Sequence, residues 1–142
     1  MVDAEKARRL TQTLLDSVAD LRRYRGSVTK EQLATDRDVQ HMVLHALYVA
    51  IQSAVDLAMH IAADSGLAQS ESYRAVFRTL ERAGIIDAAL ASRLEGWAGL
   101  RNVVAHMYAT IDYARVHQAL AELEDLERFA VAARARIQQD RE

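Results

Sequence analysis

The sequence predicts an all-α fold: an up-and-down bundle of four to five helices, in a single domain spanning residues 1–142. Three observations predict it. The chain holds no proline, so no residue removes a backbone donor from a helix interior. Hydrophobic residues make up 51% of it but aromatics only 6%, which leaves Ala, Leu, Val and Ile, the filling of helix interfaces, as the bulk of the apolar content. The apolar residues also recur at helical spacing along most of the chain.

Residues 3–24 read as a first helix, with Leu10, Leu14, Val18 and Leu21 on one stripe. Gly26 and Ser27 break the pattern, and a short turn is expected over Thr29–Leu33, capped by Ser27 or Thr29; Lys30-Glu31 adds no capping-box signal. Asp36 is the expected N-cap of a long second helix over 37–64, apolar on many faces and therefore central, which stops at Gly66. A third helix over 71–83 turns Tyr73, Val76, Phe77 and Leu80 inward and stops at Gly84. Asp87 caps a fourth helix through Leu90, Leu94, Trp97, Leu100 and Val104. A fifth, over 113–138, follows Asp112, with Val116, Leu120, Leu123, Leu126, Phe129 and Ala133 as its stripe.

Composition excludes several function classes. With no cysteine, neither a disulfide framework nor a thiolate metal site is possible, in keeping with a cytoplasmic protein. A net charge of -2 argues against a broad surface tracking long nucleic acid, but leaves room for a small cleft with a few arginines. The polar start Met1-Val2-Asp3-Ala4-Glu5-Lys6 is not a signal peptide. No apolar run approaches the roughly 20 residues that span a bilayer; Gln52, Asp56 and His60 interrupt the most apolar helix, so no membrane partner is expected.

Chemistry concentrates in Arg101-Asn102-Val103-Val104-Ala105-His106-Met107-Tyr108. Arginine grips phosphate through a planar fork of donors and keeps its charge at working pH. Histidine gives or takes a proton near neutrality. Tyrosine can position a substrate, stack on a base, or be modified. Such a kit suits RNA cleavage without a metal. A histidine base takes the ribose 2′-OH proton, the oxygen attacks phosphorus, and Arg101 stabilises the charge that builds on the phosphoryl oxygens. Asn102 can add a hydrogen bond to phosphate or ribose.

Helical spacing constrains the kit. Each residue turns about 100°, so Arg101 and Tyr108 share a stripe while His106 lies about 140° from Arg101. Either the helix loosens around Ala105–Met107, or a second copy completes the site, with the motif at a shared cleft of a two-fold homodimer.

The run Gly99–Tyr108 resembles the signature of the HEPN superfamily, in its HepT-like toxin branch: Arg, four residues, His, one residue, Tyr, with a polar residue after the Arg. Ala46–Ile61 resembles that family's central helix, and Ser72–Leu80 with Gly84-Ile85-Ile86 its next segment, so the likeness covers about residues 36–130. The resemblance implies a dimeric, all-helical endoribonuclease toxin with Arg101 and His106 catalytic and Asn102 and Tyr108 binding substrate. It implies a partner, a minimal nucleotidyltransferase antitoxin that transfers AMP from ATP to Tyr108. It implies no cofactor and no metal. Met107 stands where the family often has an acidic residue. The alternative is a catalytically inactive helical module that serves as scaffold for the nucleotidyltransferase.

Plainer roles suit the other polar residues. His41 and His45, four apart with no third ligand in view, read as packing or surface residues. Asp56 and His60 read as a helix-face pair. His117 has no evident partner. Trp97 reads as a core or dimer anchor in preference to a base-stacking residue. Arg134 and Arg136 read as solvated charges rather than an RNA or antitoxin contact.

Overall fold

The computed structural model describes residues 3–68, 71–106 and 111–139. Among these residues every regular element is a helix: α1 (Ala4–Ser27), α2 (Lys30–Thr35), α3 (Arg37–Asp64), α4 (Tyr73–Arg82), α5 (Ala88–His106), α6 (Tyr113–Leu120) and α7 (Glu124–Gln139). Seven segments replace the four to five expected. One addition is the short turn lengthened into α2; the other is a break in the expected fifth helix.

α3 is the axis of the bundle and packs against α1, α2, α4, α5 and α7. Its Leu47, Ala50, Ile51, Ala54, Val55, Leu57, Ala58 and Ile61 are almost wholly buried. By length and composition alone α3 would suit a bilayer, contrary to the expectation drawn from Gln52, Asp56 and His60. Its apolarity has another cause, since 61% of its most apolar window is buried against the other helices.

Local sequence sets the helix ends. Asp36 accepts from the backbone N–H groups of Asp38 and Val39 at 3.0 and 3.3 Å and starts α3 where expected. α3 and α4 end alike. Gly66 (φ 73°) and Gly84 (φ 76°) take the left-handed conformation. Leu67 N–H then reaches back to Ala62 O, and Ile85 N–H to Leu80 O, both at 3.0 Å.

α1 runs past Gly26 to Ser27, beyond the expected end at 24. Val28 N–H still bonds Tyr24 O at 2.8 Å, and burial of the Val28 side chain holds the last turn in place. Ala7 and Thr11 join Leu14, Val18 and Leu21 on its buried face, while Leu10 is half-buried. Thr29, one of the two caps expected, is the N-cap of α2, and it forms a capping box that Lys30-Glu31 by itself did not signal. Thr29 Oγ1 accepts from Gln32 N–H at 3.0 Å and Gln32 Oε1 accepts from Thr29 N–H at 2.9 Å. The partner of Thr29 is the third residue on, not Lys30 or Glu31.

The break between α6 and α7 also has a local cause. Leu120, Leu123 and Leu126 are fully or almost fully buried at three-residue spacing. Through this junction the backbone tightens to i→i−3 bonds: Glu122 N–H to Ala119 O at 2.9 Å and Leu126 N–H to Leu123 O at 3.1 Å. A three-residue turn superposes those leucines, which a 3.6-residue turn would fan apart. α7 then carries Phe129 edge-on to Phe77 of α4, centroids 5.6 Å apart. Its outer side is tied to α1 by ion pairs of Glu127 with Arg22 and of Glu124 with Arg25.

Candidate active site

α5 is α-helical through His106, and its last turns lie along α3 and α4. Leu100 and Val104 are buried, which sends Arg101 into the seam between α3 and α4, half-buried. Its Nε donates to Gln52 Oε1 of α3 at 2.8 Å. Its guanidinium carbon sits 4.7 Å from the ring centre of Tyr73, on α4, and 5.5 Å from that of Tyr48, on α3. Its Nη1 donates to Asn102 Oδ1 at 3.3 Å. Gln52 in turn donates through Nε2 to Asp56 Oδ1 at 2.8 Å.

All these direct contacts are with uncharged groups, and among the described residues Arg101 forms no ion pair with a carboxylate. Arg78, on α4, shows the opposite arrangement. Its Nη1 donates to Glu81 at 3.2 Å and its Nε pairs with Glu95 at 2.7 Å. The hydrogen bond to Glu81, followed by the charge of Glu95, holds its proton more tightly than usual. Arg78 is neutralised where it stands; the charge of Arg101 is held in place and left available to an anion.

The other motif residues are placed unequally. Asn102 is exposed and lines a cavity of about 440 Å³ with Met59, Tyr73 and Arg74. His106 is exposed and is the last residue of α5. Because α5 does not loosen before His106, the angular gap from Arg101 expected of a regular helix stands, and the imidazole does not share the Arg101 stripe. Met107 and Tyr108 lie outside the described residues.

Val104 and Ala105 face a second cavity, of about 300 Å³, walled by Leu44, Tyr48 and the exposed His41 and His45. The two histidines are surface residues, one of the two placements expected, and Tyr48 joins their cavity to the Arg101 seat. Trp97 is a core anchor as expected: it is 4% exposed, and its Nε1 donates to the buried Asp125 at 3.2 Å. The Asp56–His60 pair does not form. Asp56 takes Gln52, while His60 Nε2 lies 3.4 Å from Asp64 and 3.2 Å from Asp3 O, because the next turn and the start of α1 offer oxygen atoms closer. Arg136 is not merely solvated, since its Nη2 donates to Ser65 Oγ at 3.3 Å beside the end of α3. His117 is half-buried on α6.

Sequence reasoning missed Tyr48, Gln52 and Tyr73 as site residues. The signal was present in part: Tyr48, Gln52 and Asp56 recur at four-residue steps on a helix that is otherwise apolar. The site holds a half-buried guanidinium among neutral partners, an exposed imidazole about one and a half turns on, and cavities to either side.

Known proteins share the family and the fold of this chain. Residues 14–133 match the family model described as HepT-like, ribonuclease HepT-like. The mRNA nuclease HepT of Shewanella oneidensis is 30% identical over 99 residues, which cover 69% of this chain and 74% of that protein. A tri-AMPylated Shewanella oneidensis HEPN toxin, solved in complex with an MNT antitoxin, superposes with a TM-score of 0.83 at 25% identity, covering 95% of this chain and 99% of that one. A toxin–antitoxin structure with AMP-PNP has a TM-score of 0.85 at 23% identity, with 92% and 98% covered, and shares the fold. A family match spanning residues 14–133, most of the chain, makes this protein a member of the HepT-like ribonuclease family.

Proposed function

We propose that this chain is the ribonuclease toxin of a toxin–antitoxin pair, and that it cuts RNA at a cleft shared by two copies. The observation that carries the reading is the seat of Arg101, a guanidinium fixed by Gln52, Tyr48 and Tyr73 with no carboxylate to cancel its charge among the described residues. Membership of a ribonuclease family and the naming of a 30%-identical relative as an mRNA nuclease support it.

In this mechanism Arg101 binds the scissile phosphate and stabilises the negative charge that grows on its non-bridging oxygens. His106 of one copy takes the 2′-OH proton, and the freed oxygen attacks phosphorus. The P–O5′ bond breaks, and the departing oxygen takes a proton from the second imidazole, which leaves a 2′,3′-cyclic phosphate and a 5′-OH. Since Arg101 and His106 point about 140° apart on one helix, a two-fold pairing lets the arginine of one copy work with the histidine of the other. Acid, base and charge stabilisation are all supplied by side chains, so the reaction is proposed to need no metal.

The partner is proposed to be a nucleotidyltransferase antitoxin, as in the Shewanella oneidensis complex. It would move the adenylyl group of ATP onto the Tyr108 hydroxyl and release pyrophosphate. The nucleotide anion so attached competes for Arg101 and fills the cleft.

The deciding experiment is cleavage of single-stranded RNA by the purified chain in excess chelator. The parent is expected to cut; Arg101→Ala and His106→Ala are expected to bring cutting to background with the helical content unchanged. Parental cleavage by the folded His106→Ala protein would exclude the mechanism.

A further inference from the structure

We infer that Gln52 is the positioning residue of the phosphate site. It is a neutral acceptor that holds the Arg101 guanidinium by its Nε edge and leaves the Nη1–Nη2 edge and the full positive charge for RNA. The inference rests on the proposed role of Arg101 in binding phosphate.

Three observations carry it. Gln52 Oε1 takes the Nε proton at 2.8 Å, so the side of the guanidinium fork nearest the protein is occupied. The amide cannot turn over to present its NH2 group instead. Asp56 only accepts, so the 2.8 Å bond to Asp56 Oδ1 fixes Nε2 on that side and Oε1 on the side of Arg101. The negative charge of Asp56 is thereby set back from the cation by the length of one side-chain amide. Among the described residues the outer edge is closed only by Asn102, an exposed residue whose Oδ1 lies 3.3 Å from Nη1, and a phosphate oxygen can replace that contact.

The choice of glutamine over glutamate follows from this placement. A glutamate at position 52 has the same length and an acceptor at the same point. It would, however, join Arg101 in a charge-assisted pair, as Glu95 does with Arg78. Such a pair would bring the site close to neutral and make the phosphate compete with an anion tethered beside it. The Tyr48 and Tyr73 rings hold the guanidinium by cation–π contact without that penalty.

The test compares the parent, Gln52→Glu, Gln52→Leu and Arg101→Ala. Binding of a short single-stranded RNA is followed across a range of salt concentrations, and cleavage is resolved into kcat and KM. Gln52→Glu is expected to weaken RNA binding about tenfold or more and to lower the salt slope by about 0.7, the loss of one phosphate contact. Combining it with Arg101→Ala should add nothing further. Gln52→Leu keeps the charge but not the hold: its salt slope should stay parental while kcat falls about tenfold, the cost of a loosened guanidinium. A merely structural residue would change melting temperature without separating slope from kcat in this way. If both folded Gln52 variants bind and cut like the parent while Arg101→Ala does not, the inference is overturned and the role of Arg101 stands. If Arg101→Ala itself binds and cuts like the parent, the reading beneath the inference has failed.

Discussion

Trp97 Nε1 donates to Asp125 Oδ2 at 3.2 Å, joining α5 to the start of α7 through two residues only 4% and 5% exposed. Arg93 approaches the other carboxylate oxygen at 3.7 Å. A buried carboxylate is tolerated only while such partners remain. Trp97→Phe keeps an aromatic ring but removes the donor, and should lower stability by about 1–3 kcal/mol. Urea denaturation would show it as an earlier midpoint; an unchanged midpoint would mean that the hydrogen bond contributes nothing.

The shared cleft predicts complementation between two dead proteins. Arg101→Ala and His106→Ala, mixed under conditions that exchange subunits, should regain part of the RNA cleavage that neither shows alone. Each mixed pair holds one intact arginine and one intact histidine on different copies, so one cleft keeps the base and the charge stabilisation and lacks only the second imidazole as acid, a role that water fills more slowly. Failure to recover activity in a demonstrated mixed dimer would place both residues of a working site on one chain.

Tyr108 is proposed as the site that the antitoxin modifies. Incubation with the partner and ATP should add the mass of one or more adenylyl groups, as seen by intact-mass measurement, and abolish RNA cleavage. Tyr108→Phe should remove at least the first addition and leave the toxin active in the presence of antitoxin and ATP. Full modification of Tyr108→Phe would put the acceptor elsewhere.

The capping box of α2 gives a prediction independent of function. Thr29→Ala removes the Oγ1 that accepts Gln32 N–H and should destabilise the fold by about 1 kcal/mol. Thermal melting of Thr29→Ala beside Thr29→Ser checks it, with serine expected to retain most of the parental stability.

Glu124 opens α7, and its carboxyl is held below the usual range, first by the hydrogen bond with its own backbone N–H and then by Arg25. A depressed folded value means that this carboxylate stabilises the fold above its unfolded value, and the contribution is lost as pH falls through the folded one. The side chain is 52% exposed, so the contribution is small. Glu124→Gln should lose slightly less stability than the parent between neutral and acid pH, as read from urea midpoints; an equal loss in both proteins would remove Glu124 from the acid response.

The sequence by itself determined the helical class, most of the helix ends and the identity of the chemically able residues. Those features are local. Asp36 caps the helix beside it, Gly66 and Gly84 end helices by a backbone freedom of their own, and apolar spacing along a helix states which face is buried. The split between α6 and α7 was harder to read, because leucines at three-residue spacing fit the stripe of a continuous helix until packing tightens the turn. The arginine and histidine of the motif were legible by residue type, and helical angle showed that they diverge. What only the tertiary structure decided is how Arg101 is held. Gln52 lies 49 residues away in sequence, Tyr48 and Tyr73 stand on two different helices, and Trp97 finds Asp125 28 residues on. No periodicity records such pairings, because they are set by which helix faces meet once the core around α3 has closed.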